Sequence, residues 1–277
     1  MLRPVQAATR EAASIGAEEL ARRLPVEGDD EFAELTTTLN GMLARLEASF
    51  EQQQRFTADA SHELRTPLTV VKSASSRVLS RTDLPDDIRR AMERINRASG
   101  VMGDVIEDLL LLARSDSNQL DLQPGPILLH DFLDDLIADI PMEGSARVEN
   151  KTPQGQDQLT LYGDPRHLSR LFTNLIENAM RHTPTSGAIT LDASSQNGST
   201  VIYIKDTGEG IAPEHLPHVL ERFYRADAAR TRASGGTGLG LSICQTIAEA
   251  HGGTLKVQSV LGQGTTVSVT LPLSDTV

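Results

Sequence analysis

The chain has one cysteine, no tryptophan and only 3% aromatic residues. A single thiol, Cys244, excludes an internal disulfide and any C-x-x-C zinc or redox pair, and it suits a reducing compartment. The scarcity of rings leaves Leu, Ile, Val, Ala and Met to build the cores. No run of 18 apolar residues occurs, so no segment reads as a membrane span, and no signal peptide is visible. Positive charge is in deficit: 26 Lys and Arg stand against 38 Asp and Glu, a net charge of -12. Such a surface repels nucleic acid and anionic lipid. An anionic ligand must therefore rely on local backbone dipoles, a cation and a few basic residues. What is present is 277 residues at 39% hydrophobic content, enough for two or three modules with real cores.

The stretch Asn118–Pro126 divides the chain, because Gln123-Pro124-Gly125-Pro126 cannot continue a helix. Upstream the pattern is helical. Val5–Leu20 reads as a short Ala-rich helix, and Leu24–Asp30 as a connector. From Glu31 onward, Leu35, Leu39, Met42 and Leu46 recur at spacings of four, three and four, a narrow coiled-coil seam. This helix is expected to reach about Ser80. After the turn Arg81-Thr82-Asp83-Leu84-Pro85, a second helix is expected from Asp86 to about Arg114, with the seam Ile88, Met92, Ile95, Ser99, Met102, Ile106, Leu109 and Ala113. Two long helices joined by a short turn form an antiparallel hairpin. One hairpin cannot cover its seam on all sides, and burying each large apolar side chain is worth roughly 1.5–3 kcal/mol. A four-helix homodimer is therefore expected; a monomer docked on its own C-terminal part is the alternative.

Downstream, strands are expected at Leu159–Leu161, Ile189–Leu191, Thr200–Lys205, Thr254–Val257 and Thr265–Leu271. Helices are expected at about 130–139, 165–182, 213–221 and 238–250. This alternation makes an α/β sandwich with helices on one sheet face.

Four clusters carry chemistry. His62, inside the first long helix, is followed by Glu63; a neutral imidazole is a nucleophile, and a carboxylate can take its proton or fix its tautomer. Pro67 offers no N–H to the Glu63 carbonyl, so the helix is expected to bend or loosen there. An isolated helix histidine is more often merely solvated. In the helix 165–182, Asn174, Asn178 and Arg181 share one stripe, placing two amide oxygens for a hard cation beside a guanidinium for phosphate; a solvated polar face explains the stripe equally well. Asp206 ends a strand before Thr207-Gly208-Glu209-Gly210, where a carboxylate can accept from an exocyclic amine and glycines admit a flat base, although a plain turn fits too. Gly235-Gly236-Thr237-Gly238-Leu239-Gly240 opens the last helix and exposes backbone N–H groups to an anion. The small-residue stretch from Tyr224 to Ser234 before it reads as a mobile lid, with Phe223 as its hinge or anchor.

Together these strings resemble a known family. Phe56 and Ser61-His62-Glu63-Leu64-Arg65-Thr66-Pro67-Leu68 resemble the H box of histidine kinases. Asn174 to Asn178 resembles the N box, and Asp206, Gly208 and Gly210 the first glycine box. Phe223 resembles the F box. Gly236, Gly238, Leu239 and Gly240 resemble the second glycine box, and Gly262 and Gly264 the third. Leu2-Arg3-Pro4, the connector, Asp30-Glu31 and Leu35…Asn40-Gly41-Met42-Leu43 resemble a HAMP module. In this order nearly the whole chain is similar to sensor histidine kinases of two-component systems, with a catalytic part like the wider GHKL ATPases.

The resemblance implies a HAMP-like signalling coiled coil at 1–49, a dimerisation and histidine-phosphotransfer hairpin at 50–117, a linker at 118–126 and a catalytic domain of the Bergerat ATP-binding fold at 127–277. It implies ATP and Mg²⁺ as cofactors, Asn178 as the metal ligand, Asn174, Arg181, Asp206 and the lid glycines at the nucleotide, and His62 as the phosphorylated residue with Glu63 as general base. Glu63-Leu64-Arg65-Thr66 matches the family's phosphatase signature, with Thr66 positioning a water. The implied partners are a second copy and a response regulator with a receiver-domain Asp. The implied location is the cytoplasmic portion of a sensor in the inner or plasma membrane, anchored by a transmembrane segment outside this sequence. The family often has Lys-Tyr where this chain has Arg181 and His182; Arg keeps the charge, and His182 is expected to face the nucleotide. Two rival classes remain: an ATPase coupling nucleotide to shape change without phosphohistidine, and a non-catalytic dimeric scaffold.

Overall fold

Heptad spacing in the first third becomes two helices. The computed structural model describes residues 23–26, 28, 31–115, 120–140, 146–155, 158–196, 198–226 and 237–272. The expected helix Val5–Leu20 lies outside these residues. The chain forms two compact units, Met1–Leu120 and Asp121–Val277.

In the first unit, α1 spans Glu31–Leu79 and α2 spans Asp86–Ser115. The helix α1 is continuous past Pro67. Side chains 31, 32, 50, 51, 53–59, 61 and 62 lie outside the described set. The helices meet where side chains are small: a Cβ on Gly103 of α2 would stand 3.5 Å from Leu68 Cδ2 of α1. Lower down, the hydroxyls of Ser75 and Ser76 both lie 3.1 Å from Asn96 Oδ1. This polar contact favours one alignment of the hairpin over a slipped one. The connector is pinned too: Leu24 is buried, its N–H donates to Asn40 Oδ1 and its carbonyl accepts from Asn40 Nδ2, each at 2.9 Å. Much of the seam nevertheless faces solvent. Leu35, Met42, Leu46, Ile88, Ile95 and Met102 are exposed, while Ser99 and Ile106 are buried.

In the second unit, β1 (Gly125–Leu128), α3 (Leu129–Asp139), β2 (Arg147–Asn150), β3 (Thr160–Gly163), α4 (Pro165–His182), β4 (Ala188–Gln196), β5 (Ser199–Asp206), α5 (Gly240–Ala250), β6 (Thr254–Val260) and β7 (Gly264–Pro272) follow in order. Strands β1 and β3 pair antiparallel, and a five-stranded sheet runs β2-β4-β5-β7-β6. Only the β2–β4 pair is parallel. Leu168, Leu171, Phe172, Leu175, Ile176 and Ala179 of α4 are all buried, as their helical spacing requires. They face β4 and β5, whose alternate residues Ile189, Leu191, Ile202 and Ile204 are also buried. Phe132 of α3 meets Phe172 edge-on, with ring centroids 6.3 Å apart. This is the α/β sandwich expected from the alternation.

Three expectations need correction. The segment 213–221 is not an α-helix; it holds only a three-residue 3₁₀ turn, Leu216–His218. Pro213 and Pro217 lack amide donors, and the chain makes successive i→i+3 bonds instead. The last helix begins at Gly240 rather than 238, because Gly238 has φ +76° and stands outside the helical region. Strands β1 and β2 were not anticipated. Each has four residues, and neither alternates cleanly: Gly-Pro opens one, and Arg-Val-Glu-Asn forms the other at a sheet edge.

Candidate active site

The second unit gathers its polar cluster at one end of β5 and α4. Asp164 fixes the far end of α4. It is fully buried and caps the helix by accepting from the Arg166 and His167 backbone N–H groups. Burial alone would raise its pKa. The Arg166 side chain and the N–H groups of Gln123 and Arg166 outweigh that and hold the carboxyl well below the usual range. The Asp164 N–H donates to His251 Nε2 at 3.0 Å, while His251 Nδ1 donates to Ile247 O at 2.8 Å. One neutral tautomer satisfies both bonds, and burial lowers the His251 pKa accordingly. With its N-terminus locked and its apolar stripe buried, α4 delivers Asn174, Asn178, Arg181 and His182 along its last two turns. Both asparagines are half-buried, and neither amide bonds another described residue.

Asp206 is the last residue of β5 and is buried. Its Oδ1 accepts the Gly208 N–H at 2.8 Å and the Thr265 N–H at 3.1 Å. Oδ2 makes no hydrogen bond with a described residue, so one acceptor is held fixed and the other is left over. The glycines around it are required by close approaches. A Cβ on Gly208 would sit 2.2 Å from His182 O, and one on Gly264 would sit 2.1 Å from Asp206 O. The turn between β6 and β7 buttresses this loop: Gly262 N–H donates to Glu209 O at 2.7 Å, and Ser259 Oγ accepts the Ile211 N–H at 2.8 Å. His182 does not stand alone. Its Nδ1 lies 2.8 Å from Glu209 Oε1, tying the end of α4 to the glycine turn.

The Phe223 N–H donates to Gly238 O at 3.0 Å. Phe223 has φ +64°, the only positive φ of a non-glycine among the described residues. That conformation stores strain. Gly236 and residues 227–235 lie outside the described residues. Leu239 is fully buried and anchors the start of α5. A Cβ on Gly240, the first residue of α5, would meet no described residue within 4 Å. Arg225, which the sequence reading passed over, has Nε and Nη2 buried without a hydrogen-bond partner among the described residues. A guanidinium two residues after Phe223 was the available signal.

In the first unit, His62 lies on α1, and its side chain is outside the described set. Glu63 and Thr66 are exposed on the same helix. Arg65 pairs with Glu107 of α2 at 3.8 Å.

Comparison with known proteins puts these strings in sequence. Residues 163–275 match the family described as histidine kinase-, DNA gyrase B- and HSP90-like ATPase. Residues 52–118 match the His Kinase A (phospho-acceptor) domain, and residues 1–48 match the HAMP domain. The chain belongs to the sensor histidine kinases. It is 35% identical over 228 residues to the sensor histidine kinase RppB of Synechocystis, covering 81% of this chain and 50% of that protein. It is 30% identical to the signal transduction histidine-protein kinase BaeS of Escherichia coli, covering 99% of this chain and 58% of that one. The chain thus spans between half and three fifths of the length of these relatives. Among solved structures, full-length ShkA in complex with AMPPNP superimposes with a TM-score of 0.66 at 26% identity, covering 79% of this chain and 46% of that one. No described helix is long and apolar enough to cross a membrane.

Proposed function

We propose that this chain is the signalling core of a sensor histidine kinase that phosphorylates its own His62 from ATP and passes the phosphoryl group to the Asp of a response regulator. The observation that carries the nucleotide reading is Asp206. Its Oδ1 is fixed by two backbone N–H groups, its Oδ2 is left over, and it lies beneath a turn where Gly208 admits no side chain. That is an acceptor for the exocyclic amine of adenine. The residues present fit the rest of ATP and its metal. Among the described residues, Asn178 and Asn174 offer uncommitted amides and Arg225 two buried, unpaired guanidinium nitrogens, and Gly240 starts a helix whose N–H groups suit a phosphate. Arg181 adds positive charge, Gly210 stands with Asp206 and Gly208 at the adenine, and Phe223, Gly238 and Leu239 flank the lid, while His182 serves through Glu209 rather than alone. Mg²⁺ held at Asn178 supplies charge neutralisation on the phosphates.

In the transfer, a His62 imidazole nitrogen forms a bond to the γ-phosphorus as the bond to the ADP oxygen breaks. Glu63 takes the imidazole proton. Positioning and neutralised charge provide the rate. In the reverse role, Thr66 orients a water for dephosphorylation of the regulator. The module boundaries we propose are 1–49, 50–117, a linker at 118–126 and 127–277. The core works as a homodimer on the cytoplasmic side of a membrane sensor.

The deciding experiment incubates the chain and its His62→Gln variant with γ-labelled ATP and Mg²⁺. Acid-labile, base-stable label is expected on the first, with a loss of more than about a thousandfold on the second. Label that survives in His62→Gln removes His62 as the acceptor. Absence of label on both, with nucleotide still bound, favours the scaffold reading.

A further inference from the structure

The segment between the first glycine turn and the lid is a string of single turns. His215 N–H donates to Ala212 O, His218 N–H to His215 O and Glu221 N–H to His218 O, each at 2.9 Å, and Tyr224 N–H donates to Glu221 O at 3.3 Å. Such i→i+3 links have poor geometry and little stiffness of their own. Yet the segment ends in three residues with narrow requirements. Phe223 holds φ +64° and bonds Gly238, Tyr224 follows it, and Arg225 keeps two guanidinium nitrogens buried and unpaired among the described residues. Two desolvated, unpaired guanidinium nitrogens are costly, so a soft backbone would let the side chain swing out to water.

A side-chain tie closes the segment. The Tyr224 hydroxyl lies 2.8 Å from His215 Nδ1. The Tyr224 ring is flanked by His215 at a centroid distance of 6.1 Å and by His218 at 5.3 Å with planes 34° apart. His218 is in turn held by Glu221, Nδ1 to Oε1 at 2.7 Å. The hydroxyl can donate to a bare Nδ1 or accept from a protonated one, so the tie survives either state of the ring.

We propose that His215 and Tyr224 are positioning residues of the nucleotide site: their hydrogen bond fixes residues 223–225 and thereby presets the Arg225 guanidinium for the nucleotide phosphates. The proposal rests on the ATP reading above. Its energetic basis is preorganisation, since a phosphate-binding cation already in place costs no ordering when the ligand arrives.

The test titrates the full chain and its variants with AMPPNP, which resists transfer, and with AMP, which lacks the outer phosphates. Tyr224→Phe and His215→Ala are expected to weaken AMPPNP about fivefold to tenfold and to leave AMP within about twofold. His215→Gln, whose side-chain carbonyl can accept from the hydroxyl, is expected to recover most of the loss. In an Arg225→Ala background, Tyr224→Phe is expected to cost nothing more, because the tie acts through that guanidinium. Equal weakening of AMP and AMPPNP, additive losses in the double variant, or failure of His215→Gln to do better than His215→Ala would overturn the proposal. Unchanged AMPPNP affinity in Tyr224→Phe overturns it as well while leaving the ATP reading intact. A wild-type chain that binds neither nucleotide overturns both.

Discussion

Ile95 and Met102 of α2 are 40% and 57% exposed, whereas Leu171 and Ile176 of α4 are fully buried, although both sets recur at regular helical spacing. The helical unit displays its seam; the sandwich consumes its own. A helix laid on a sheet finds apolar residues across its whole face, while a two-helix hairpin covers only the strip between its helices. Regular apolar spacing therefore says that a face will be buried without saying by what. In α4 the answer is the same chain. In α1 and α2 it is the second hairpin of the proposed dimer.

The sharpest way to break this contrast is to hollow the sandwich. Phe172→Ala should cost about 3–5 kcal/mol, with a denaturation midpoint that does not depend on protein concentration. A midpoint that shifted on dilution would show that the sandwich also leans on a partner. The converse holds for the hairpin: its melting should rise with concentration, with about 2.7 kcal/mol gained once the partner is 100-fold above its dissociation constant. Ile95→Asp together with Met102→Asp should abolish that dependence, as read by calorimetry across a dilution series.

A third effect separates the units by pH. The His251 pKa is lowered by burial from the ordinary 6.5, so the native ring stays neutral where the unfolded one binds a proton. Stability of the sandwich should be full above about pH 6.5 and fall as pH drops below it, by at most about 1.4 kcal/mol per unit until the native ring protonates. His251→Gln should flatten that slope in urea titrations, and the hairpin should show no matching step. The smallest effect belongs to Val70, 62% exposed on α1. Val70→Ala should change the stability of the chain by no more than about 0.5 kcal/mol. A loss of core size would place Val70 inside the dimer seam.

Several elements could be read from the residues because their determinants are local. The helix α4 starts and ends where expected, since Asp164-Pro165 caps it and Thr183-Pro184 stops it within the neighbouring turn. Strands β4 to β7 were placed by alternation, though the structure lengthens each. The segment 213–221 carried a helical apolar spacing that two prolines overrode. The strands β1 and β2 gave little local signal, because each is held by its partner across the sheet rather than by its own pattern. In the candidate site, Asn178, Asp206 and the glycines were legible as motifs. Arg225, Tyr224, His215 and the Glu209 partner of His182 were not, because each matters through a side-chain contact that no local pattern marks or through burial.

The sequence by itself determined the module order, the helical hairpin, the sandwich class and the strings that mark a sensor histidine kinase, because period, caps and glycine turns act over a few residues. Tertiary structure alone decided which Asp206 oxygen is committed, why Gly208 and Gly264 admit no side chain, and that Phe223 bonds Gly238. Those outcomes depend on backbone segments far apart in the chain approaching within ångströms, and no local pattern encodes such distances.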